Sequence, residues 1–434
     1  MRSGSCLDMT SKINLATTGA CLIGSLTWAQ EIPKTAPDQS FWKRDTLTGD
    51  WGGFRTHLAD LGINFNPVYT GEVMSEAAGG HAGNRTIYDH NLNLPLTVDL
   101  EKAIGWRGAT FHANAFWLAG RSLTDDCIGD LANISNISAY PTWRLNELWL
   151  EQTFWDKKAS IKIGSLATDA DFFVPETSAL FINSSFGCFS LVAANLPNPP
   201  IYPVAAPGVR FWVQPDPHLY FQAAIYDGDS GAQDVNKHGT DFNLAQNDGA
   251  LIFTEIGYDL HPEADDKTLD GRFKIGSFIH TKHVPTWQTQ ITDGTDPGAI
   301  NFGIYGIAEH DFYKHDTRKI TGFVRGGGAP GDRNVISWYF DTGLNFTGWL
   351  PGRADDVAGI AFARSTFSRG YSDYVAATEP FKLSGAEMVI EATYRAQITP
   401  WWTVQPDVQV IIAPAGDPKC DTALVIGIRT AINF

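Results

Sequence analysis

Apolar and polar residues alternate with a period of two along most of this chain, as in strands that separate two unlike environments. In "LNLPLTVDL" (92–100), Leu92, Leu94, Leu96, Val98 and Leu100 share one parity, while Asn91, Asn93, Thr97 and Asp99 take the other. In "EMVIEATYRAQI" (387–398), Met388, Ile390, Ala392, Tyr394, Ala396 and Ile398 oppose Glu387, Glu391, Thr393, Arg395 and Gln397. "TVQPDVQVI" (403–411) sets Val404, Val408 and Val410 against Gln405, Asp407 and Gln409. The last stretch, "TALVIGIRTAINF" (422–434), puts Leu424, Ile426, Ile428, Thr430, Ile432 and Phe434 opposite Gly427, Arg429, Ala431 and Asn433. Similar patterns begin near Ile63, Thr110, Glu147, Ile161, Val209, Leu219, Ile252, Arg272, Phe302, Ile320, Ile336 and Val357. Parity is ambiguous in the stretches near Phe302 and Val357. The total is about sixteen strands, an even number as bacterial outer-membrane barrels have.

The connections alternate in length. Short turns such as "PDPH" at Pro215, "TPWW" at Thr399 and "DKK" at Asp156 are interleaved with long links, the longest running from about Leu166 to Pro207. That asymmetry predicts an all-β protein, a 16-stranded antiparallel transmembrane β-barrel with short periplasmic turns and long outer loops. A barrel in lipid must pair every backbone group between strands, so the last strand is expected to close on the first, around residues 63–73. The competing reading is a secreted β-sandwich, which also alternates. It gives no reason for charged minor faces on strands of this length.

Composition sharpens the choice. The 434 residues hold 42 Gly and 14 Trp, which suits strands, tight turns and interfacial rings. Net charge is −16, so a nucleic-acid partner, which needs an excess of Lys and Arg, is not expected. Lys12, the apolar run "INLATTGACLIGSLTWA" and Thr27-Trp28-Ala29 predict a signal peptide over 1–29, with Met9 as an alternative start and a lipoprotein signal at Cys21 as the competing reading. A periplasmic segment (30–48) and the barrel (49–434) would follow. Cys127, Cys188 and Cys420 then remain, with no metal-ligand spacing. Beyond the signal, no apolar run approaches the ~20 residues of a membrane-spanning helix.

The stretch "LTGDWGGFRTHLADLGINFNPVYTGE" (47–72) resembles the opening of the carbohydrate-selective porins, the OprB family. The resemblance continues in order through "LWLEQTF" (148–154), "GGAPGDRN" (327–334), "LPGRADD" (350–356) and "EMVIEATYRAQITPWWTVQPDVQ" (387–409). It implies an outer-membrane barrel through which monosaccharides and related small sugars diffuse, narrowed by infolded loops and lined with charge. Cys188 departs from the aromatic expected in "SSFGCFS", which would permit a Cys127–Cys188 disulfide between outward loops.

Passing a sugar makes no bond; the wall must replace lost hydration while binding weakly enough to release. Charged hydrogen bonds and aromatic faces suit a polyol. By parity and mid-strand position the leading candidates are Glu147, Trp149, Arg210, Glu391 and Arg395, followed by Glu72, Glu255 and Arg429. The bland alternative for each is a salt-bridge lattice bracing the wall. The long loop, carrying Asp169, Asp171, Phe172 and Phe173, is the expected constriction, and Asp50 and Arg55 are expected to pack at the periplasmic mouth. Glu387 and Glu391 stand about 13 Å apart along one strand at ~3.3 Å per residue, against the ~5–9.5 Å of glycosidase carboxyl pairs. With no nucleophile-elbow, zinc-protease or P-loop motif, an enzyme is not expected, nor any cofactor or metal. The expected partners are a glucose-like sugar and outer-membrane lipid. A homo-oligomer is compatible, because interface strands read like lipid-facing ones. A general or cation-preferring porin and a secreted sugar-binding or hydrolysing β-protein are the alternatives.

Overall fold

Sixteen antiparallel strands pair each with its chain neighbour and close on themselves in the computed structural model, which describes residues 40–434 apart from 82, 233–234, 243, 246, 263–267 and 296. The early strands are β1 (Ile63–Phe65), β2 (Val68–Gly80), β3 (Thr86–Asp99), β4 (Ala109–Gly120), β5 (Thr142–Phe154) and β6 (Ala159–Leu166). Next come β7 (Ala206–Asp216), β8 (Leu219–Asp227), β9 (Ala250–Asp259), β10 (Gly271–Val284) and β11 (Ala299–His315). The last are β12 (Arg318–Gly328), β13 (Ile336–Thr347), β14 (Val357–Phe367), β15 (Ala386–Thr399), β16 (Trp402–Ile412) and β17 (Asp421–Asn433). No helix among the described residues is long and apolar enough to cross a membrane.

Closure joins β17 to β2, with Arg429 opposite Glu72 and Asn433 opposite Val68. The first barrel strand therefore starts later than the expected 63–73. Residues Ile63–Phe65 instead form the short β1, which pairs with β3. Pro67 separates the two, because it has no N–H to give a ladder. Its carbonyl accepts from the Phe434 N–H at 2.9 Å. Asp50 and Arg55 do pack at this end. Asp50 accepts from Thr56 N–H and hydroxyl at 2.9 and 2.8 Å, and Arg55 donates to the Phe434 carbonyl at 2.7 Å. Residues 40–48 lie against the last strands, where Trp401 Nε1 donates to the Phe41 carbonyl at 3.0 Å. The expected signal over 1–29 and the start of the 30–48 segment lie outside the described residues.

Burial is inverted relative to a water-soluble sheet. Ile275 and Ile304 on the outside are 74% and 62% exposed, whereas Arg325 and Glu391 on the inside are fully buried. In β17 the outer set is Leu424, Ile426, Ile428, Thr430 and Ile432, as alternation predicts, and β3 behaves alike with Leu92, Leu94 and Leu96 outward. The large buried cluster lies inside the barrel. Phe172, Phe173, Phe181, Phe186 and Phe189 from the long connection pack there against Phe253, Tyr305, Phe323 and Tyr339 from the wall. Each such burial contributes about 1.5–3 kcal/mol. The expected Cys127–Cys188 disulfide is absent: Cys127, Cys188 and Cys420 are all free. Cys188 is buried with the long connection's phenylalanines, while Cys127 belongs to a separate cluster with Met74, Ile128 and Val425.

Candidate functional site

The connection between β6 and β7 (167–205) enters the lumen and is held by side chains of the far wall. Wall carboxylates accept its backbone N–H groups. Glu391 takes Ile182 and Asn183 at 2.6 and 2.8 Å, Glu255 takes Phe173 at 3.1 Å, and Glu309 takes Thr177 at 2.7 Å. Wall donors take its carbonyls. Arg325 reaches Phe173, Gly187 and Ser185 at 2.9, 2.7 and 2.8 Å, and Gln405 reaches Leu180 at 2.8 Å. Asp341 accepts from Arg325 and keeps that buried cation paired. An irregular backbone inside a barrel needs partners of this kind for each polar group.

Gly359 completes the seat. A Cβ there would stand 2.5 Å from Leu180 and 3.0 Å from the Phe181 ring. Glycine at this inward position lets the loop approach the wall that closely.

A second insertion, residues 121–141 between β4 and β5, docks beside the first. Glu387 accepts Leu131 and Ala132 N–H at 2.6 and 3.1 Å, and Arg429 donates to Ser135 and Asn136 at 3.2 and 2.8 Å. The two insertions also bond each other, Asn136 N–H to Ile182 O and Ser184 N–H to Asn133 O at 2.8 and 2.9 Å.

Opposite this filled side, the inner faces of β3, β4 and β5 look across a cleft at Ala167, Asp169, Ala170 and Tyr202 of the long loop. The cleft measures about 60 Å³. Its wall carries Asn91, Asn93, Asn114, Asn146, Phe116 and Glu147. Alternation cannot put Asn146 and Glu147 on one face; a bulge does. Asn114 pairs with Glu147 and Ala115 with Leu145, leaving Asn146 as the extra residue. Alongside lies a charged and aromatic group. Trp149 stacks on His112 with centroids 4.7 Å apart, and Lys162 Nζ sits 4.8 Å from the Trp149 ring. Lys162 and Arg210 both bond Asp171, at 2.9 and 3.3 Å, and Arg210 also pairs with Glu151.

Two loop carboxyls differ in state. Burial pushes Asp169 up to about 7, although Tyr202 N–H donates to it at 3.0 Å. Burial acts on Asp171 in the same direction, but Arg210 and Lys162 outweigh it and hold that carboxyl below its ordinary value.

The residues singled out in the sequence therefore fall into separate groups. Glu147, Trp149 and Arg210 gather on the β5–β7 side, where Glu147 accepts Ala167 N–H at 3.4 Å. Glu255 and Glu391 hold the long loop. Besides Phe173, Glu255 accepts from the Tyr220 and Tyr305 hydroxyls, each at 2.9 Å. Glu72 pairs with Arg429 at 2.7 Å beside the second insertion. Arg395 lies on the inward parity of β15 and makes no hydrogen bond or ion pair among the described residues. Sequence reasoning passed over the asparagines, His112, Lys162 and Tyr202. Asn91 and Asn93 stood on the polar parity in plain view, whereas nothing in the pattern marks the bulge at Asn146.

Comparison with known proteins places this geometry. A family model described as carbohydrate-selective porin, OprB family, matches residues 83–434. Porin B of Pseudomonas aeruginosa is 27% identical over 456 residues, covering 97% of this chain and 96% of that protein. The high-pH structure of Pseudomonas putida OprB superposes with TM-score 0.83 at 23% identity, covering 91% of this chain and all of that one. The low-pH structure of the same protein gives 0.58 at 20% identity, covering 90% and 99%.

Proposed function

This chain belongs to the OprB family of carbohydrate-selective porins, a sugar-selective porin of the Gram-negative outer membrane, and from that premise we propose how it selects. Small sugars of monosaccharide size diffuse passively along the inner face of β3–β7, past the rim of the long loop. Glu147, Trp149 and Arg210 line this path, Trp149 offering a ring face and the charges offering strong hydrogen bonds to hydroxyls. Arg395, which has no acidic partner among the described residues, contacts solute from β15. Glu72, Glu255, Glu391 and Arg429 serve instead to hold the insertions that set the bore.

The observation that carries this reading is the uneven docking. Wall side chains from β9 round to β17 make most of the hydrogen bonds to the backbone of the two insertions. By contrast, β3–β7 meet the long loop chiefly at Ala167, Asp171 and Tyr202, around the cleft and its charged neighbours. The protein works as a channel, without bond-making chemistry. Glu387 and Glu391, the pair tested above against a glycosidase spacing, are each committed to backbone N–H groups of a different insertion, which supports that view.

Reconstitution into planar bilayers tests it. The expected result is an ion current that glucose reduces by occupying the pore, with glucose flux into liposomes. A current indifferent to glucose and selective for cations would instead make this a general cation-preferring porin.

A further inference from the structure

Four carboxamides, those of Asn91, Asn93, Asn114 and Asn146, converge on the β3–β5 cleft, each less than one-tenth exposed. The Oδ1 atom of every one lacks a hydrogen-bond partner among the described residues. A buried acceptor left unmet is costly, and four in one cleft are outside the ordinary economy of a folded interior. Glu391, Glu255 and Arg325 on the inner wall are engaged with the long loop. Unmet acceptors occur elsewhere on that wall, at Glu76 and Asn345 for example, but the cleft gathers four carboxamide oxygens in one place.

We propose that this cleft is a subsite for the hydroxyl edge of a neutral sugar, and that these amides recognise it beside the charged residues of the path. The proposal rests on the sugar-channel reading. A carboxamide offers both an acceptor and donors on an uncharged group, and a sugar hydroxyl is likewise both donor and acceptor. Matching amide to hydroxyl replaces the sugar's hydration without stripping water from an ion, which keeps binding weak enough for release. The dimensions agree. At ~10–15 Å³ per water-sized group, about 60 Å³ admits roughly four to six such groups, the edge of a ring and not the whole of it.

The frame is built to hold its shape. Tyr202 accepts from Asn91 Nδ2 at 3.2 Å, donates to Ile137 O at 3.0 Å and lies 5.3 Å from the Phe116 ring. The bulge at Asn146 adds the fourth amide to a face that would otherwise carry three.

The test uses D-glucose as probe and the full-length porin in planar bilayers, with Asn91→Ala, Asn93→Ala, Asn114→Ala, Asn146→Ala and Asn114→Ala/Asn146→Ala compared with the parent. Each single variant is expected to weaken glucose block about fivefold and the double variant by tenfold or more, with potassium conductance within about twofold of the parent. Block that is unchanged in all variants while the parent is blocked would overturn the amide subsite and leave the sugar channel standing. A parent pore that glucose neither blocks nor crosses would remove the channel reading itself. Folding is followed by the heat-dependent gel shift of the barrel. Variants on three different strands keep the test alive if one fails to fold, and loss of folding in all of them would overturn the proposal by assigning the amides to the scaffold.

Discussion

Two halves of the inner wall use similar polar side chains for opposite purposes. From β9 round to β17, carboxylates and Arg325 are consumed in binding backbone of the two insertions, and aromatic rings fill the space between them. From β3 to β5, four neutral amides on the cleft carry an Oδ1 atom with no partner among the described residues. The contrast teaches that charge on a lumen-facing strand is no measure of contact with solute. A charge inside a barrel can be structural, and the quieter residues opposite can be left for the passing molecule.

The largest expected departure comes from breaking the filled half. Arg325→Met leaves Asp341 buried without its cation, a change that costs about 3–5 kcal/mol, and frees the Phe173, Ser185 and Gly187 carbonyls. Urea unfolding in detergent should show the loss, and single-channel recordings should show conductance raised severalfold with added noise. Gly359→Val is next. Its side chain would collide with Leu180 and Phe181, and overpacking of this kind costs about 1–3 kcal/mol. The expected outcome is a loop that proteinase cleaves within 177–187 in folded protein, while the parent resists.

The smallest effect sharpens the rim of the passage. Asp169 keeps its proton up to about 7 when folded, whereas an unfolded aspartate loses it near ~3.9. Between those values the folded state binds more protons than the unfolded one, so this group's contribution to stability falls as pH rises and levels off above 7. Asp169→Asn removes that slope. Thermal midpoints in detergent at pH 5 and pH 8 should therefore differ less in the variant than in the parent.

Much of the barrel was legible in the chain because lipid-type and water-type faces demand strict alternation, and β3, β15, β16 and β17 obey it. The two stretches of ambiguous parity carry a message of their own. In β11 and β14 the inward set includes Tyr305, Ile307, Ala361 and Ala363, which are apolar because they meet the docked loop instead of water. Alternation blurs where a third environment enters. The inward turn of the long loop was legible too, from Phe172 and Phe173 in a connection that should otherwise be polar. The site was harder to read. Pairing between Glu391 and residues 182–183 spans more than two hundred positions, and a bulge shifts a face without leaving a compositional trace.

On this proposal solute passes along β3–β7, and the stretch of β14 around Ala363 is shut off by docked loop. Thiol reactivity from the aqueous phase tests it most directly, in a background with Cys127, Cys188 and Cys420 replaced by alanine. A charged methanethiosulfonate reagent should cut the current sharply in Asn93→Cys and leave Ala363→Cys unaltered. The reverse order of sensitivity would contradict the account.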